Sequence, residues 1–99
     1  MIEQIETLLP VGYGLYFYRT SHGNELDLVV ARGIEIVLAI EIKMSGNPTL
    51  SRSNRLALED LNNPPLLIVV PGNEFLPISP EVTVCGLGQI EKQIAGICN

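Results

Sequence analysis

The stretch from Glu25 to Lys43, read as ELDLVV, then ARG, then IEIVLAIEIK, constrains this chain more than any other. Two runs rich in Val, Ile and Leu flank a break at Arg32 and Gly33, the pattern of two antiparallel strands joined by a tight turn. Glu25 and Asp27 lie two apart on the first strand, and Glu41 and Lys43 two apart on the second, so each pair shares a face. A two-residue loop of Arg32 and Gly33 pairs Asp27 with Leu38 and sends Glu41 to the opposite face. A three-residue loop centred on Gly33 instead pairs Glu25 with Glu41 and Asp27 with Ala39. Asp27 is then diagonal to Glu41 at roughly 7 to 8 Å, with all three carboxylates on one face. The three-residue register is the expectation, because such a loop needs one residue at positive φ, where glycine meets no steric penalty. A bulge shifts the pairing by one.

Three carboxylates gathered this way repel. At an effective dielectric of about 20 and a separation near 6 Å, each pair costs on the order of 3 kcal/mol, more than packing alone explains. A cation is implied: Lys43 supplies part of it, and a divalent metal held by oxygen ligands supplies the rest.

The 99 residues make a single domain, residues 1–99, of which about two thirds of the surface can be buried on folding. No apolar run approaches the ~20 residues of a membrane span, and Met1 to Leu9 is acidic where a signal peptide is basic, so a cytoplasmic protein is expected. Cys85 and Cys98 are spaced unlike a zinc or disulfide framework and are expected as free thiols. The net charge of -5, with only six basic residues, argues against tight unaided binding to nucleic acid.

In chain order, Ile2, Ile5, Leu8 and Leu9 recur at helical spacing up to Pro10. Glu6 on this helix reads as a solvated face residue, although it could point at the acidic cluster. LYFYR from Leu15 to Arg19 favours a strand, and Thr20 to Asn24 is its turn, carrying His22, which reads as a surface residue. Arg19 lies just before the acidic strand and reads equally as a surface residue or as a partner of Glu25 or a phosphate. Met44 to Pro48 is a polar connection. Thr49 or Ser51 can cap the next helix, whose apolar face is Leu50, Ala57, Leu58 and Leu61. Arg52 and Arg55 mark another face, solvated or in contact with phosphate. Asn62 to Pro65 ends the helix. LLIVV from Leu66 to Val70 fits a strand buried on both faces. Pro71, Gly72, Pro77 and Pro80 hold an irregular loop, Val82 to Cys85 a further strand, and Leu87, Ile90, Ile94 and Ile97 a closing helix weakened by Gly88 and Gly96. The crossover from the Lys43 strand to the LLIVV strand should be right-handed, making that pair parallel in a mixed sheet flanked by helices, an α/β fold.

This αβββαβ order, with Asp27 on the second strand and Glu41-Ile42-Lys43 ending the third, resembles the restriction-endonuclease-like core of the PD-(D/E)XK nuclease-like superfamily. LYFYRTSHGNELDLVV, AIEIK, LALEDL and the late VVPG resemble more closely the C-terminal domain attached to prokaryotic AAA+-type ATPases of uncertain function. The resemblance covers nearly the whole chain. It implies that Asp27 and Glu41 are metal-binding carboxylates and that Lys43 positions or activates an attacking water. Glu25 lies in the related domain's acidic motif without an assigned role, and Leu26 stands where the superfamily has a proline. The chain contains no GxxxxGK[ST] loop, so no ATPase activity is assigned to it.

The chemistry implied is phosphodiester hydrolysis with Mg²⁺ or Mn²⁺ held by Asp27, Glu41 and the Ile42 carbonyl. The competing expectation is a binding module that keeps the fold without the reaction and contacts a protein partner or a second copy of itself. Lys43 then neutralises Glu41, Glu25 and Asp27 in a structural ion network.

Overall fold

The computed structural model describes residues 2–21, 23–43 and 50–97. The expectations for His22, Cys98, Thr49 and the Met44 to Pro48 connection fall outside these residues. Helix α1 (Ile2–Leu8) is followed by the antiparallel meander β1 (Tyr13–Arg19), β2 (Glu25–Arg32) and β3 (Glu35–Ile42). Helix α2 (Arg52–Asp60) crosses to β4 (Leu66–Val70), and β5 (Phe75–Pro77) and β6 (Val82–Gly86) follow. A single 3-10 turn, Leu87–Gln89, leads into α3 (Ile90–Ile97). The six strands form one mixed sheet in the order β1-β2-β3-β4-β6-β5.

The β3–β4 pair is parallel, as the crossover through α2 requires. β4 is also parallel to β6. Lying at the centre with helices on both sides, β4 buries all five residues, which is why it reads as an unbroken apolar run. On one face of the sheet Leu28, Val30, Leu38, Ile40, Leu67 and Val69 pack against Ile5 of α1 and Ile90 and Ile94 of α3. On the other, Leu26, Val29, Ala39, Ile68 and Val84 meet Ala57 and Leu58 of α2. Leu50 and Leu61 extend that second cluster, so the apolar face expected of α2 is the buried one.

Ser51 is the N-cap of α2. Its hydroxyl accepts from the Asn54 N–H at 3.1 Å while the Asn54 side chain accepts from the Ser51 N–H at 3.2 Å, a reciprocal box that satisfies two otherwise orphaned donors. At the other end Asn62 and Asn63 hold φ of 64° and 53°, a conformation asparagine tolerates better than most residues. The loop expected to be irregular contains β5. That strand is only three residues long and fully exposed, and its prolines hide it from periodicity.

The hairpin turn differs from the expectation. Its two loop residues are Gly33 and Ile34, because Arg32 pairs with Glu35. Gly33 takes the first turn position at φ +65°, the placement glycine holds in a type II′ hairpin turn. Ala31 pairs with Ile36 but Val30 with Leu38, so Val37 is an extra residue and β3 carries a bulge. A second bulge lies on β2. Tyr16 pairs with Val29 and Tyr18 with Leu26, which leaves Asp27 and Leu28 opposite Phe17 alone. This is why Leu26 and Leu28, two residues apart, belong to opposite faces of the sheet.

Candidate functional site

The two bulges decide which acidic residues meet. The β2–β3 ladder ends at Leu28↔Ile40, and just past that end Asp27 and Glu41 meet through their side chains, in place of the Asp27–Ala39 and Glu25–Glu41 pairs expected from a three-residue loop. The opposition is held by two hydrogen bonds. The Asp27 N–H donates to Glu41 Oε1 at 3.0 Å, and the Ile42 N–H donates to Asp27 Oδ2 at 2.8 Å. Each carboxylate therefore rests on the other strand's backbone.

Glu41 follows Ala39 on the face that α2 covers and pairs with Ile68 of β4, so its residue is only 6 % exposed. A carboxylate removed from water needs hydrogen bonds and a counter-charge. The Asp27 N–H provides the first, and Lys43 Nζ, 3.2 Å from Glu41 Oε2, provides the second. Among the described residues this is the one ion pair.

Glu25 does not join the dyad. It pairs with Arg19 at the end of the β1–β2 ladder, its N–H donates to Ser53 Oγ at 3.1 Å, and its carbonyl accepts from Asn54 Nδ2 at 3.0 Å. No group of three His, Cys, Asp or Glu side chains is placed to hold a metal ion among the described residues. The expected acidic trio is thus a pair. Glu6 is exposed on α1, which packs on the sheet face opposite to the one that Glu41 occupies.

Ser53 and Asn54 are the functional neighbours that reading the sequence missed. Asn54 is buried, and its side chain both closes the α2 cap and fastens that helix to β2 beside the dyad. The signal is the S-x-x-N spacing of Ser51 and Asn54, in which Asn takes the role that Glu or Gln fills in the common capping box.

Beside the dyad lies an open cleft of about 470 Å³ lined by Phe17, Tyr18, Arg19, Glu25, Leu26, Asp27, Leu28 and Ile42. Of the three residues expected to do chemistry, only Asp27 lines it. Burial, and then the Asp60 carboxylate, raise the Tyr18 phenol above its ordinary value. Arg52 and Arg55 are both exposed, but Arg55 lines a separate cleft of about 220 Å³ with Glu59 and Glu81. The basic residues at the dyad's end of the sheet are then Arg19, Lys43 and, one residue from Ser53, Arg52. Cys85 is a free, buried thiol whose pKa burial pushes up.

Two carboxylates, one lysine and an open cleft suit a cation that keeps much of its hydration. Mg²⁺ is commonly held by one or two carboxylates plus water and substrate phosphate, whereas Ca²⁺ and structural Zn²⁺ sites use more protein ligands. Oxygen donors in this small number are the kind that Mg²⁺ or Mn²⁺ accepts, although Glu41 Oε1 and Oε2 are already engaged by the Asp27 N–H and Lys43. Asp27 Oδ1 has no hydrogen-bond partner among the described residues, so one oxygen remains for such an ion.

Fold and site together define a small mixed α/β domain with a lysine-paired acidic dyad at one end of its sheet. The chain belongs to the DUF4143 family, described as a domain of unknown function, whose profile it matches over residues 3–90. Domains of this family are found in AAA-ATPase-associated C-terminal regions, in agreement with the resemblance to an ATPase tail domain. It is 39 % identical over 90 residues to the uncharacterized protein Rv2008c of Mycobacterium tuberculosis and, to the same extent, to Mb2031c of Mycobacterium bovis. These matches cover 91 % of this chain and 20 % of each relative, so the chain spans about one fifth of their length. No solved structure matches it. None of the described helices is long and apolar enough to cross a membrane.

Proposed function

We propose that the chain is a nuclease-like domain of restriction-endonuclease-like type, in which Asp27 and Glu41 hold Mg²⁺ or Mn²⁺ for hydrolysis of a phosphodiester. One observation carries the reading: reciprocal hydrogen bonds bring two carboxylates from neighbouring strands together with an ammonium 3.2 Å from one of them. When bound, the ion supplies neutralisation of the phosphate charge and a more acidic water. The protein's own part is positioning. The Ile42 N–H fixes Asp27 Oδ2 and thereby aims Oδ1, and the Asp27 N–H orients Glu41. Lys43 offsets the dyad's charge and is the residue that would balance charge developing on the phosphate. Arg19, on the cleft wall beside Asp27, is placed to take a phosphate oxygen of the substrate backbone.

The second reading is a binding module, the non-catalytic tail of an AAA+-type ATPase. Phe75, Leu76 and Ile78 favour it, exposing an apolar patch at the β5 edge, as does the dyad's satisfaction by backbone donors and Lys43 alone.

Asp27→Asn separates the two. Asparagine keeps an acceptor for the Ile42 N–H but removes the charge that holds a metal. With labelled single-stranded and duplex oligonucleotides and Mn²⁺, the nuclease reading expects cleavage by the parent chain and none by Asp27→Asn, at nearly equal melting temperatures. No cleavage by the parent, together with no Mn²⁺-induced rise in its melting temperature, would sink the enzyme and leave the module.

A further inference from the structure

The sheet has two edges, and they are built differently. β5 is three residues long, ends in Pro77 and is flanked by Pro71 and Pro80, so shortness and missing N–H groups blunt it against a further strand. β1 has seven residues without proline or lysine, and the bulge in its ladder lies on β2. Among the described residues its outer row of backbone groups faces no strand, along an edge roughly 24 Å long at about 3.4 Å per residue. Phe17 in the middle is 77 % exposed. Arg19 is the one charged residue on this edge, so its charge decides which registers are open.

We propose that β1 pairs with β1 of a second copy of the chain, antiparallel about a two-fold axis at Tyr16, joining two six-stranded sheets into one. The interface is isologous, so every contact occurs twice. Tyr13, Leu15, Phe17 and Arg19 share one face of β1 by alternation. In this register Leu15 meets Phe17 of the second copy, and Tyr13 meets its Arg19. Both pairings are favourable, apolar against apolar and guanidinium against ring. Tyr13 already accepts such a contact on its other side, from Arg32 at 5.9 Å to the ring centroid. A parallel arrangement would instead stack Arg19 on Arg19, and an antiparallel slip of two residues would put Arg19 against Leu15. A slip the other way leaves Arg19 beyond the end of the partner strand, so charge together with pairing of all seven residues selects the register centred on Tyr16. The weakest residue of the strand, Gly14, is covered by the ring of its own Tyr16, the aromatic cover that steadies glycine in an exposed strand. The second copy also closes the outer side of the cleft that Phe17 lines, whether or not that cleft supports cleavage.

The test is the oligomeric state of the 99-residue chain by sedimentation velocity. A reversible, concentration-dependent monomer–dimer equilibrium is expected, as suits a small interface. Phe17→Lys, at an exposed position, should weaken the dimer at least tenfold, whereas Leu76→Lys on the β5 edge should leave it unchanged. Register is read with one introduced cysteine in a Cys98→Ser background, in which the remaining Cys85 is buried: under mild oxidation Tyr16→Cys should cross-link to itself, because facing residues lie within disulfide reach, and Ile34→Cys at the hairpin tip should not. A monomer throughout, a dimer that survives Phe17→Lys or dissolves with Leu76→Lys, or equal cross-linking at both cysteines would overturn the proposal.

Discussion

Replacing Lys43 by Met removes the counter-charge of Glu41 while keeping an apolar stem of similar length. At 3.2 Å and an effective dielectric of about 20, the gross attraction is on the order of 5 kcal/mol. Lys43 is 26 % exposed and Glu41 only 8 % by side chain, so the pair falls between surface bridges, worth about 0 to 1 kcal/mol, and buried pairs, which cost about 3 to 5 kcal/mol to break. A loss of about 2 kcal/mol is expected, because the Asp27 N–H still serves Glu41 Oε1. For a domain near 100 residues that is a fall of roughly 10 °C in melting temperature. Divalent metal should then act more strongly on the variant than on the parent, since the ion replaces the lost cation. At a hundred times its Kd a metal contributes about 2.7 kcal/mol, enough to restore the parent's stability. Thermal unfolding with and without Mn²⁺ measures both effects. A Lys43→Met chain that melts within about 2 °C of the parent refutes the charge argument. A destabilised chain that Mn²⁺ does not rescue refutes the metal reading and keeps the structural network.

Asn54→Ala should cost about 2 to 3 kcal/mol in chemical denaturation, because it leaves the Glu25 carbonyl and the Ser51 N–H without partners near a buried helix junction. Gly86→Ala and Gly96→Ala should act in opposite directions. A Cβ at Gly86 would strike the Gly72 carbonyl and the backbone of Asn73, and so dislodge the loop ahead of β5 at a cost of about 2 kcal/mol or more. At Gly96, inside α3, it meets nothing, so the better helix former should add about 0.5 to 1 kcal/mol. Cys85 should resist iodoacetamide in the folded chain and react once denaturant is added. Because burial raises its folded pKa above the unfolded value, stability should be undiminished below the ordinary thiol pKa of about 8.5 and fall as the pH climbs towards the folded value.

The elements whose burial follows one simple rule were legible in the sequence. β4 is a run of five apolar residues because both of its faces are covered, and the apolar face of α2 is the face that packs. The dyad was legible only by residue type. Its partners depend on register, and two single-residue insertions set the register: Val37 in β3, and Asp27 with Leu28 against Phe17 in β2. Neither carries a glycine or proline to announce it. One insertion exchanges the face of every residue beyond it, so an expectation built on strict alternation put Glu25 against Glu41. The bulge in β2 also accounts for the site itself. By breaking the ladder to β1 at Asp27, it accompanies the Asp27 N–H donating to Glu41 Oε1 in place of a strand carbonyl. An irregularity that costs ladder hydrogen bonds and recovers them with two carboxylates is the kind of re-aiming that bulges provide beside functional sites. It follows that the carboxylates and the bulge are one device. Asp27→Ala, which removes the acceptor for the Ile42 N–H, should loosen the β2–β3 end and speed amide exchange at Ile42 and, as Glu41 loses its fixed place, at position 27, whereas exchange in β4 should be unaltered.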